Sequence, residues 1–127
     1  MKKLLGIVVL SLTFAFTNLY AEMKSVSISV AGDEFFVDMD TKKKLSDGTT
    51  IVWTMANYKK PLSSGSKSSM QRLKINCEMT NFIFIEYVTY TKLNGYGEPS
   101  YSKDLGTKYH SAPPGTPWHD IMKYICS

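Results

Sequence analysis

The stretch "APPGTPWHDIMKYICS" (Ala112–Ser127) decides the fold. Thr116 can cap a helix, and Pro117 suits the first helical position, where its missing N–H costs nothing. Trp118, Ile121, Met122 and Ile125 then fall at i, i+3, i+4 and i+7, which is one apolar stripe. Three turns of helix are marginal alone in water, so the stripe needs a sheet to cover. Cys126 lies one residue from the end, and Cys77 is the only other cysteine. The helix is therefore expected to lie on the sheet face carrying Leu73 and Ile75, pinned by a Cys77–Cys126 disulfide.

That pairing presumes an oxidising compartment, and the N-terminus supports one. "MKKLLGIVVLSLTFAFTNLYA" has Lys2 and Lys3, an apolar run from Leu4 to Phe16, and the small residue Ala21. This is the layout of a secretory signal peptide over residues 1–21, cleaved after Ala21. The apolar run is short for a transmembrane anchor and is followed by Thr17 and Asn18. No cysteine follows the run, so a lipid anchor is not expected. The mature chain, 22–127, reads as a single domain with no further membrane span. Two thiols in an exported domain usually form one disulfide. Metal binding is the rival reading, but Cys77, His110, His119 and Cys126 lack the spacing of a zinc site.

The full chain has 127 residues and a formal charge of +4, which falls to +2 without Lys2 and Lys3. This mild charge does not point to nucleic acid.

Between the signal peptide and the helix the pattern is that of strands. "KSVSISVA" alternates Val26, Ile28 and Val30 against serines, a half-buried strand. "EFFVDMD" predicts a second strand from Glu34 to Met39. "TTIVWTMANY", after the Asp47-Gly48 turn, is apolar on both faces and reads as a central third strand. "KKPLSSGSKSS" reads as a flexible loop. "SMQRLKINCEM" places Leu73, Ile75 and Cys77 on one face and Arg72, Lys74 and Asn76 on the other. "NFIFIEYVTYT" predicts another central strand. Asn94-Gly95 is a hairpin signal, and Pro99 to Lys103 suits a short edge strand. The expected fold class is α+β: a mainly antiparallel β-sheet of about five or six strands, with a C-terminal α-helix packed on it and one disulfide.

No arrangement of residues carries an enzyme signature. There is no G-x-S-x-G, and "SSMQ" is not an S-x-x-K motif. His119 and Asp120, adjacent at the helix start, read as a solvated histidine and an acid that complements the helix N-terminus. His110 precedes a loop and has no visible partner. Asp38 and Asp40 share a strand face but are too close in sequence for a glycosidase pair. The tyrosines, among them Tyr87, Tyr90, Tyr96, Tyr101, Tyr109 and Tyr124, fit half-buried strands. The lysines stand out more. Lys42, Lys43 and Lys44 form one cluster, and Lys59, Lys60 and Lys67 form another near Arg72 and Lys74. If the strands are antiparallel, the two clusters lie at opposite ends of the sheet.

"IVWTMANYKKP", a Ser-rich loop, a strand ending in "INC", then "FIFIEYVTY", "APPG" and a terminal "YIC" together resemble the surface-adhesin protein E family. The likeness runs from about Ile51 to Cys126. It implies an exported bacterial protein with an antiparallel sheet, packed helix and a disulfide matching Cys77–Cys126. It also implies attachment to host matrix or serum proteins such as vitronectin, laminin and plasminogen.

The expected function is a non-enzymatic binding protein without cofactor, resembling such an adhesin, in the periplasm or at the surface of a Gram-negative cell. The alternative is a periplasmic accessory or inhibitor protein that docks on another envelope protein. The partner is a protein in either case, and the expected contact residues are Lys42, Lys43, Lys44, Lys59, Lys60 and Lys67.

Overall fold

A computed structural model describes residues 23–102 and 105–127. The expected signal peptide and the far end of the strand predicted to Lys103 lie outside the described residues. The elements are β1 (Met23–Ile28), β2 (Glu34–Lys44), β3 (Thr50–Asn57), β4 (Ser68–Asn76), β5 (Asn81–Tyr90), β6 (Pro99–Tyr101), β7 (His110–Ser111) and the helix α1 (Pro117–Cys126). All strands join one antiparallel sheet in the order β1-β2-β3-β4-β5-β6. β7 pairs with the other end of β5, through Phe82 and Asn81. Among the described residues no helix is long and apolar enough to cross a membrane.

The helix begins as its sequence predicts. The Thr116 hydroxyl accepts the His119 N–H at 3.3 Å and itself donates to the Pro113 carbonyl at 2.7 Å. Ile121, Met122 and Ile125 are buried against Phe35, Val37, Val52, Leu73, Ile75 and Phe82. Both cysteines are exposed, and Cys77 bonds Cys126 across a sequence separation of 49 residues. The sheet face under the helix is thus the one expected from Leu73 and Ile75.

Two bulges alter the faces that simple alternation predicts. In β1 the register shifts between Ser25 and Ser27, so Val26 packs on the core while Ile28 is 68 % exposed. Val30 lies beyond the strand. The reading of Val26, Ile28 and Val30 as one inward face therefore fails after Val26, because an inserted residue reverses the faces that follow. In β4–β5, Arg72 faces Glu86 while Leu73 faces Phe84, leaving Ile85 unmatched and partly exposed. The bulge keeps Phe82, Phe84 and Tyr87 on the helix side.

Beside the core, Thr54, Gln71 and Ser69 are fully buried but polar. The Thr54 hydroxyl donates to Gln71 Oε1 at 2.9 Å, and Gln71 Nε2 donates to the Ser69 hydroxyl. Ser69 also bonds Tyr58 at 2.7 Å, and the Tyr58 and Tyr87 hydroxyls lie 3.2 Å apart. Burial holds the Tyr58 phenol well above the ordinary tyrosine value. The segment read as a flexible loop through Ser69 ends earlier: β4 already begins at Ser68, Ser66, Ser68 and Ser69 are buried, and Ser69 belongs to this network.

Candidate functional site: the basic end of the sheet

Antiparallel order places three connections at one end of the sheet: the β1–β2 turn, the β3–β4 loop and the β5–β6 loop. Hydrogen bonds from backbone and side chains tie them together. Tyr58 N–H donates to the Lys67 carbonyl, and Lys67 N–H donates to the Tyr90 carbonyl, each at 2.9 Å. Asn57 and Asn94 hold the third loop reciprocally: Asn57 Nδ2 donates to Asn94 Oδ1 at 2.7 Å, and Asn94 N–H donates to Asn57 Oδ1 at 2.8 Å. Asn94 and Gly95 take φ of 61° and 73°, the left-handed pair that an Asn-Gly hairpin turn requires.

Four lysines stand on these connections: Lys59, Lys60, Lys67 and Lys92, all exposed. Lys59 is the most firmly placed. Its amide donates to Asp33 Oδ1 at 2.9 Å. Its Cδ lies 2.7 Å from the point a Cβ of Gly32 would occupy, so the stem crosses bare backbone. Gly32 has φ +91°, which also favours glycine. Among the described residues the ion pairs are Arg72–Glu86 and Lys74–Asp47, and neither includes these four lysines. Sequence adjacency grouped Lys59, Lys60 and Lys67 but missed Lys92. Only strand order brings Lys92 to them: the Ser68 hydroxyl at the start of β4 donates to the Lys92 carbonyl.

The other predicted cluster lies at the opposite end, as expected from antiparallel pairing, and it is divided. Lys42 Nζ donates to the Ile125 carbonyl at 2.8 Å, where a cation suits the negative end of the helix. Lys43 and Lys44 close the β2–β3 hairpin opposite Ile51 and Thr50.

The histidines and the acids singled out in the sequence make packing and local hydrogen-bond contacts. His110, read as preceding a loop without a partner, lies in β7, stacks on Phe82 and meets Phe84 edge-on. Trp118 packs among Phe35, Phe82 and Phe84 at centroid distances of 5.3–5.5 Å. His119 is half-buried rather than solvated, and its Nδ1 lies 3.0 Å from the Ala112 carbonyl. Asp120 sits in the first helical turn and accepts from the Ser27 hydroxyl at 2.7 Å. Asp38 and Asp40 do not act as a facing pair, because the Asp40 amide donates to Asp38 Oδ1 within an irregular part of β2. A groove of about 190 Å³ beside the disulfide includes His119 but neither His110 nor an acid. Asp120 lines a separate cleft with Lys123 and Tyr124. Among the described residues no group of three or more His, Cys, Asp or Glu could hold a metal.

No curated protein matches the sequence. Solved structures match the fold. Crystal form II of Haemophilus influenzae protein E superposes with a TM-score of 0.67 at 16 % identity, covering 83 % of this chain and 87 % of that one. Protein E from non-typeable Haemophilus influenzae gives 0.60 at 19 % identity, covering 87 % and 78 %. The family model for surface-adhesin protein E matches residues 21–127, a longer span than the resemblance from Ile51 to Cys126. The chain belongs to the surface-adhesin protein E family.

Proposed function

We propose that this chain is an exported, non-enzymatic, adhesin-like protein that attaches to a protein partner through the basic end of its sheet. Residues 1–21 would be removed as a signal peptide, leaving 22–127 as the working domain. Family membership supports the adhesin-like role. The observation that carries the choice of surface is the gathering of Lys59, Lys60, Lys67 and Lys92 on two stitched connections, β3–β4 and β5–β6, outside both ion pairs of the described residues. Such a surface favours an acidic patch and speeds encounter more than it deepens affinity. Lys42, committed to the helix end, contributes little to contact. Lys43 and Lys44 form a lesser patch at the far end.

The test is surface-based binding of the mature domain to immobilised vitronectin, laminin and plasminogen. Binding to at least one is expected, falling severalfold in 0.5 M salt and in Lys59→Gln/Lys60→Gln, with Lys43→Gln/Lys44→Gln close to unchanged. Binding that ignores both salt and Lys59/Lys60 would reject this surface. Absence of binding to the whole panel at micromolar concentration would reject host attachment through these proteins.

A further inference from the structure

The lysine end of the sheet also carries aliphatic side chains that the core does not use. Ile28 ends β1 at 68 % exposure, and Val30 stands in the β1–β2 turn at 108 %. Leu93, beside Lys92 in the β5–β6 loop, is 46 % exposed. The backbone beneath Val30 is closed: Ser29 N–H donates to the Asp33 carbonyl at 2.8 Å, and Gly32 N–H to the Ser29 carbonyl at 2.9 Å. Val30 therefore projects from a formed turn, where a polar residue would serve the turn equally well.

We propose that this end of the domain seats on an anionic lipid surface, with Ile28 and Val30 entering the headgroup–acyl boundary and the four lysines meeting headgroup phosphates. Two observations fit a lipid surface. A protein interface has a contiguous apolar centre within a polar rim. Here Ile28 at the end of β1 and Val30 in the turn after it are separated from Leu93 by the β3–β4 loop with its lysines, a scattered pattern that a fluid surface accommodates. The charge is also concentrated. The three connections carry Lys59, Lys60, Lys67 and Lys92 against Asp33 and Glu98, so their surplus equals the whole +2 of chain 22–127. Asp33 is already engaged by the Lys59 amide. The inference goes beyond protein attachment: it shares the lysines, but Ile28 and Val30 belong to it alone.

The test is co-sedimentation of the mature domain with vesicles of phosphatidylglycerol and phosphatidylethanolamine at 0.1 M salt, against vesicles of phosphatidylcholine. Binding to the anionic vesicles only is expected. Lys59→Gln/Lys60→Gln should weaken it roughly twenty-five-fold, on the basis of about fivefold per lysine near a charged surface. Ile28→Ser/Val30→Ser should weaken it roughly tenfold or more, with an unchanged melting temperature because both side chains are exposed. Lack of sedimentation, equal binding to phosphatidylcholine, or full binding by Ile28→Ser/Val30→Ser would each overturn the proposal. If vesicles fail while an immobilised protein binds through Lys59 and Lys60, the end is a protein-docking surface and only the lipid inference falls. If vesicles bind and the protein panel fails, the lipid inference stands and the host-protein reading falls.

Discussion

Removing the cross-link by Cys77→Ala/Cys126→Ala should lower the melting temperature of the mature domain by roughly 15 °C. The disulfide joins residues separated by 49 positions. Closing a loop of that length lowers the entropy of the unfolded chain, worth about 4 kcal/mol at 25 °C. For a domain of about a hundred residues each kcal/mol moves the midpoint by about 4 °C. The substitution isolates this effect unusually well. Both cysteines are exposed, so trimming them to alanine removes little buried surface and leaves no cavity. Ile121 and Ile125 stay buried at 0 % and 2 % exposure, so the helix should remain docked below the transition. The assay is far-ultraviolet circular dichroism of the oxidised protein, the double variant and the protein reduced with a phosphine. The native spectrum should be unchanged at 25 °C, and the two uncross-linked samples should melt together. A shift below about 5 °C would refute the loop-closure argument. Loss of the helical signal at 25 °C would refute the claim that burial of the stripe holds the helix once docked.

Gln71→Ala should cost about 2–3 kcal/mol in urea unfolding, because it strips a buried partner from both Thr54 and Ser69; a loss under about 0.5 kcal/mol would mean that the network is not a stabilising unit. The Asp47 carboxyl should titrate at about 2 rather than 3.8, because the Thr49 hydroxyl, then the Thr49 amide, then Lys74 favour its charged form. Its depressed value means that any stability it contributes is present above the unfolded value near 3.8 and is lost as pH falls through about 2. Carboxyl-carbon NMR should show this midpoint, and Thr49→Ala should move it upward more than Lys74→Gln does.

The parts of the fold that were legible in the sequence are those set by nearest neighbours along the chain. Thr116 and Pro117 start the helix where short-range chemistry says they should, and Trp118, Ile121, Met122 and Ile125 mark its buried stripe. The strand pattern of Leu73 and Ile75 identified the face that this stripe covers. What failed depended on inserted residues or remote pairing. Nothing in "KSVSISVA" reveals that β1 bulges after Ser25, yet that bulge turns Ile28 out to solvent. β7 has only His110 and Ser111, too short for any period, and exists because the free edge of β5 at Phe82 receives it. His119 read as solvated because nothing before it in sequence shows the chain doubling back to bring the Ala112 carbonyl within 3.0 Å.

The same distinction governs the site. Lysines were grouped by adjacency, which joined Lys42 to Lys43 and Lys44 and left Lys92 alone. A folded surface groups residues by strand end. In an antiparallel meander every second connection returns to the same end, so β1–β2, β3–β4 and β5–β6 must share one and β2–β3 and β4–β5 the other. That rule alone adds Lys92 to Lys59, Lys60 and Lys67. It leaves Lys42 beside the last helical turn, which ends at Cys126 and which the disulfide holds near the β4–β5 turn. The terminal cysteine and the basic end are therefore consequences of one topology: one end of the sheet is occupied in closing the helix, and the other leaves its lysines and aliphatic tips exposed. Charge reversal tests that division directly, since Lys42→Glu should lower stability with little effect on attachment, while Lys92→Glu should do the opposite.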